Sequence, residues 1–201
     1  MRLVPTKEVR TMQKPLPTPF VAMAYNNAWA NHRLLSACLA LRPGEFTAPR
    51  VGFFPSLAET VNHNHLVDLF YIDAMEGGTL GVAAFDNEIP FLRVAELITA
   101  QRALDVRLIV LTRAAEQTSY DATISVHRQD HVQEDRFDRI LMHLFQHQIH
   151  HRGQAHAMLS ATSVAPPQLD EFFMEDEASF RTVEFDALGW NETMIWGNGK
   201  S

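Results

Sequence analysis

The segment LMHLFQHQIHHRGQAHAML, residues 141–159, decides how this chain is read. Residues on an ideal helix advance by about 100° each. Wound that way, Leu141, Leu144, Ala155, Met158 and Leu159, with Phe137 and Ile140 just upstream, share a stripe about 100° wide. His151 lies inside that stripe and His147 at its edge, one turn earlier. His150 projects well outside it, and His143 lies beyond His147 on the same flank. The cluster therefore divides: His147 and His151 face inward as a pair able to share one ion, while His150 and His156 face elsewhere.

Two histidines at i, i+4 form a chelating pair, yet the bare spacing arises often by chance. In its best-known catalytic setting, HExxH, a glutamate serves as base. Here Gln148 holds that position and cannot deprotonate water, which argues against a zincin-type protease. A catalytic zinc-like centre needs three protein ligands and one open position. The third must come from another helix, and TVNHNHLVD (60–68) offers His63 and His65. Apolar residues are spread almost all round that helix, so periodicity does not choose between them. An inward histidine is more often a hydrogen-bonded core residue than a ligand. The inward pair together with a second histidine-bearing helix brings the two readings level.

Outward from this segment the chain reads as helical. Phe20, Met23, Ala24, Ala28, Leu34, Leu35 and Cys38 recur at helical spacing from Thr18 to about RPGE (42–45). A second helix runs from about Ser56, its N-cap, to Met75, stopped by Gly77-Gly78. After a loop with Gly81 and Pro90, Val94, Leu97, Ile98, Leu104, Leu108 and Leu111 stripe a third. SYDATISVHRQDH (119–131) alternates weakly, as a hairpin or extended crossover would, and the fourth helix spans about Gln133 to Ala161. Four long helices make the fold class all-α, a four-helix bundle. The domain reading is an extended, proline-bearing arm over 1–17, the bundle over 18–169, and an acidic, aromatic extension over 170–201. Disordered tails are poor in aromatics, so that extension is expected to pack on the bundle or on a partner subunit.

Composition sets limits on function. Apolar residues at 46% and charged residues at 20% fit a soluble globular chain of 201 residues. A net charge of -7, with no basic cluster, argues against nucleic acid. No apolar run is long enough for a membrane helix, and the N-terminus lacks a signal-peptide core, so the expected location is cytoplasmic. A single cysteine, Cys38, excludes an internal disulfide and a cysteine-based zinc cluster, and reads as a small core residue. Any metal here takes nitrogen and oxygen ligands.

Four stretches resemble the DinB (DinB/YfiT-like) family of small helical proteins. YNNAWANHRLL (25–35) looks like its first-helix YNxWAN signature, and SLAETVNHNHLVD (56–68) is similar to its LxxTLNHLLxAD segment. LMHLFQHQIHHRGQAHAML closely resembles the last-helix HLFNHQTHHRGQ block, with Gln146 in place of the usual asparagine. APPQLDEFF (165–173) resembles the PPxLD that follows it. The resemblance covers about residues 20–175. It implies a DinB/YfiT-like four-helix bundle with a divalent metal on three histidines, carried over as His63, His147 and His151, while His65 has no ligand counterpart. Zinc or nickel is the expected ion, with iron, manganese or copper also suited to such ligands.

Related families with this fold activate low-molecular-weight thiols at the metal. The resemblance thus implies a metal-dependent thiol S-transferase or hydrolase acting on a small molecule, and a homodimer. A different class, a stress-related binding protein with a structural metal, would show a closed, fully ligated ion instead. Ligating histidines usually donate their second N–H to an oxygen, and Asn27, Asn31, Asp68 and Gln148 are placed to accept or relay it. For Asp68 a solvated or capping role is the simpler expectation. Tyr25 and Trp29 read as core more readily than as pocket lining. Arg152 is expected in a salt bridge or a cap, and Gly153 at a close helix crossing.

Overall fold

The computed structural model describes residues 19–115 and 120–197. The expected arm over 1–17 lies outside them. Among the described residues are six α-helices and one two-stranded antiparallel sheet, so the protein is mostly helical. In chain order these are α1 (Pro19–Leu39), α2 (Leu57–Met75), α3 (Val94–Ala115), β1 (Thr123–His127), β2 (Val132–Arg136), α4 (Phe137–Leu159), α5 (Ala178–Leu188) and α6 (Glu192–Trp196). Among the described residues, no helix is long and apolar enough to cross a membrane.

Local chemistry sets the helix ends. Pro19 opens α1, where its missing N–H costs nothing. Ser56 caps α2, its hydroxyl accepting from Glu59 N at 3.2 Å. Past Glu76, Gly77 takes φ +83°, and Gly78 N donates back to Asp73 O at 2.8 Å, ending the helix. The start of α4 corrects the sequence reading. Residues 132–136 are β2, paired with β1 in the register Thr123↔Arg136 to His127↔Val132. VQEDR shows no apolar alternation of its own, and only pairing with TISVH across the turn makes it a strand.

The four long helices pack in a ring of contacts: α1 and α2 each lie against both α3 and α4. Two apolar clusters fill the interior. One holds Trp29, Phe70, Ile72, Leu108, Leu141 and Leu144; the other holds Leu34, Leu57, Leu97, Ala155, Met158 and Leu159. Between them every long helix contributes buried polar groups: Asn31 from α1, Asn64, His65 and Asp68 from α2, Gln101 and Asp105 from α3, Gln148, His151 and Arg152 from α4. This polar layer positions the site.

The C-terminal segment belongs to the first apolar cluster. Phe172, Phe185 and Ile195 are buried in it, and Phe172 lies 5.5 Å from Trp29. Arg33 fastens the segment to α1, bonding Glu184 Oε1 at 2.8 Å, Phe180 O at 2.6 Å and Gln168 O at 2.9 Å. Tyr25 and Trp29 are core residues, as read. Gly153 corrects the reading: it is exposed, and a Cβ built on it would meet nothing within 4 Å, so none of the described helices crosses there.

Candidate metal centre

α2 and α4 lie side by side, so inward side chains of the two helices meet. His63, His147 and His151 each offer a ring nitrogen, and these atoms all lie within 4.8 Å of one another. His63 Nε2 and His147 Nε2 are 3.1 Å apart. The His147 and His151 ring centroids are 4.5 Å apart, those of His63 and His151 4.7 Å. His151 is buried and the other two half-buried, as the stripe on α4 implied.

The remaining histidines go elsewhere. His65 is buried on the α3 side, its Nδ1 donating to Gln101 Oε1 at 2.9 Å and its ring edge-on to Phe91. His143 and His150 are exposed. His156 Nε2 donates to Pro167 O at 2.9 Å.

Burial holds the three clustered rings neutral. Desolvation, then the nearby His151 ring, brings His63 down to about 4. Desolvation and the surrounding histidines bring His147 down to about 3. Desolvation lowers His151 too, opposed by its bond to Gln154. Neutral imidazoles with free lone pairs are what a divalent ion requires. Nitrogens about 2.0–2.1 Å from a shared tetrahedral ion stand about 3.3 Å apart, close to the His63–His147 spacing. The donor set fits a metal.

Gln154, which sequence reasoning missed, fixes one ring. Its Oε1 accepts from His151 Nδ1 at 2.9 Å, leaving His151 Nε2 as the lone-pair nitrogen. Its amide also donates to His150 Nε2 at 3.0 Å. The i+3 spacing from His151 was the available signal. Phe54 was missed as well. Its ring lies tilted 4.6 Å from His63 and 5.5 Å from His151. The signal for it was its place in the loop just before the helix that carries His63.

The four outer polar candidates divide. Gln148 is fully buried and donates to Asn64 O at 2.8 Å, tying α4 to α2 at the height of the histidines. Asn27, Asn31 and Asp68 enter a buried network instead. Asp68 is 1% exposed, so the solvated or capping role was wrong: the packing of α3 encloses it. Gln101 Nε2 donates to Asp68 Oδ2 at 2.7 Å and to Asp105 Oδ1 at 3.0 Å. Asn31 Nδ2 donates to Asp105 Oδ1 at 2.9 Å. Arg152 lies in the same layer, bonded to Asn27 Oδ1 and, at 3.1 Å, to Asn31 Oδ1. Among the described residues it caps no helix, and it reaches Asp68 and Asp105 through space.

Desolvation and the Asp105 charge push Asp68 up to about 8. Desolvation pushes Asp105 up to about 6 and brings Arg152 down to about 10. Gln101 and Asp105 were also missed. Their signal was polar residues inside the α3 stripe of Leu97, Leu104 and Leu108.

Comparison with known proteins agrees with this picture. A sequence model of the DinB family matches residues 12–187. Protein DinB of Bacillus subtilis (strain 168) is 26% identical over 149 residues, covering 72% of this chain and 86% of that protein. Since the family match runs from ahead of α1 to the last turn of α5, this chain belongs to the DinB family.

Proposed function

We propose that this protein is a metal-dependent enzyme, a thiol S-transferase or hydrolase, built on a DinB-type four-helix bundle. The observation that carries the reading is the convergence of three neutral imidazoles, with His63 Nε2 and His147 Nε2 at 3.1 Å. His63, His147 and His151 would hold the ion, zinc or nickel by preference, through their Nε2 atoms. A divalent ion in that place supplies Lewis acidity, lowering the pKa of a water or thiol that shares it.

The chain's own residues do the rest. Gln154 holds the His151 ring in one tautomer. Gln148 locks the two ligand helices together. Phe54 shields one side of the group from water. Among the described residues the cluster has three members of ligand type, which supports an open coordination position over a closed structural ion.

Metal analysis of protein purified without an affinity tag tests the site. The expected result is about one transition-metal ion per chain, lost in His63→Ala, His147→Ala and His151→Ala and kept in His65→Ala. Loss in His65→Ala with retention in His63→Ala would reverse the α2 assignment. A screen of small thiols against electrophiles, using the metal-loaded protein, tests the activity. No turnover across that panel would favour the hydrolase or the binding reading.

The assembly proposed is a cytoplasmic homodimer. Its support is the apolar face left open by the C-terminal segment, where Met174 is 63%, Phe180 58% and Val183 79% exposed. Light scattering at the monomer mass would refute it.

A further inference from the structure

The loop that enters α2 is built to hold two aromatic rings beside the histidines. Arg50 N donates to Pro55 O at 2.7 Å and closes residues 50–55 into a turn. The Arg50 guanidinium ties that turn down, donating to Ala161 O beyond α4 and to Glu45 O, each at 3.0 Å. Gly52 lies against α4 so closely that a Cβ would collide with the Met158 methyl. Any larger residue there would make the Met158 side chain give way.

Phe53 and Phe54 follow directly. Phe54 lies tilted against His63 and His151, and the Phe53 ring stands edge-on to Phe54 at 4.9 Å and 6.2 Å from His151. Yet Phe53 is 77% exposed. A purely covering role would press both rings onto the histidines. Here one ring covers, and the other turns an open apolar face to solvent at the edge of the site.

From this geometry we infer that Phe53 and Phe54 are specificity-determining residues. They select a ligand with a flat apolar group, aromatic by preference, next to the atom it presents to the histidine-held ion. The inference rests on the metal-centre reading above. An aromatic ring laid on Phe53 removes apolar surface from water and meets Phe53 and Phe54 in offset or edge contacts. A strongly hydrated group in the same place would lose its water to ring faces that return no hydrogen bond. The turn is anchored at three points, so this surface is preformed and loses little ordering entropy on binding.

The test uses the cobalt(II)-loaded full chain, whose visible absorption reports ligands at the ion. Acetohydroxamate and benzohydroxamate share one metal-binding head and differ in methyl against phenyl. Benzohydroxamate is expected to bind about tenfold tighter, about 1.4 kcal/mol. That preference should shrink to about twofold in Phe53→Ser and in Phe54→Leu. Phe53 is exposed, so its replacement leaves the core intact and decides the matter even if Phe54→Leu weakens metal binding. A phenyl preference absent from the unmodified protein, or undiminished in Phe53→Ser, overturns the inference while the metal centre stands. Failure of the unmodified protein to bind cobalt overturns the metal centre, and this inference with it.

Discussion

His63 Nε2 and His147 Nε2 face each other at 3.1 Å across the α2–α4 contact, and burial keeps both rings uncharged to about pH 4 and about pH 3. In the unfolded chain each would titrate near the ordinary histidine value of about 6.5. Between these limits the unfolded state binds more protons than the folded state. Their contribution to stability is thus complete above about pH 6.5 and is lost as the pH falls toward the folded values. Denaturation of the metal-free protein should show its midpoint dropping from about pH 6.5 to about pH 4.5. The double replacement of His63 and His147 by Gln should flatten that part of the curve. Parallel curves for the two proteins would refute the assignment.

Gln154 is predicted to tune the centre without joining it. Its amide oxygen holds His151 Nδ1–H, so Gln154→Leu frees the ring to rotate and to exchange tautomers. Metal affinity should fall by about 10- to 100-fold with the stoichiometry retained. Competition against a chromophoric chelator measures this, and an unchanged dissociation constant would show that packing alone orients the ring.

The buried layer predicts opposite outcomes for two charged residues. Arg152→Met leaves the Asp105 carboxylate enclosed without its cation and should cost about 3–5 kcal/mol. Asp68→Asn should stabilise the protein at pH 7, because a carboxyl pushed up to about 8 must take up a proton on folding, whereas the amide needs none and its oxygen can still accept from Gln101. The sign follows from the raised value. Asp68's contribution is complete below the unfolded value of 3.8 and is lost as the pH rises through about 8. The Asn variant should therefore gain steadily on the parent from about pH 4 to about pH 8 in urea denaturation, and no further above that. A large cost at neutral pH would mean that Asp68 is ionised there.

Much of the site was legible because it lies on a helix with one strong face. The stripe from Phe137 to Leu159 placed His151 inside and His147 at its edge, and burial follows that order. α2 gave no such guide. Fifteen of its nineteen residues are buried, so no face is distinguished and only the DinB resemblance preferred His63 to His65. β2 was illegible for a different reason, since its strand character comes from the partner strand β1. The Asp68–Gln101–Asp105–Arg152 layer joins residues up to 84 positions apart, from three helices. Each of them alone looks like a surface polar residue, and only the packing of α3 onto α1 and α2 removes them from water.

Gly153 gives a prediction that also reads the surface around the centre. It sits inside α4, two residues past His151, exposed and with open space where a Cβ would stand. Glycine in a helix interior costs about 1 kcal/mol relative to alanine through backbone entropy. Gly153→Ala should therefore stabilise the protein by about that amount, raising the thermal midpoint by about 2–4 °C. Metal content should not change, because the new methyl points away from the three imidazoles. Calorimetry on the metal-loaded protein at two concentrations measures both the gain and its setting. A concentration-independent rise is the expected outcome for a free face. A fall in the midpoint, deepening as the protein is concentrated, would mean that a second copy closes on α4 at the glycine.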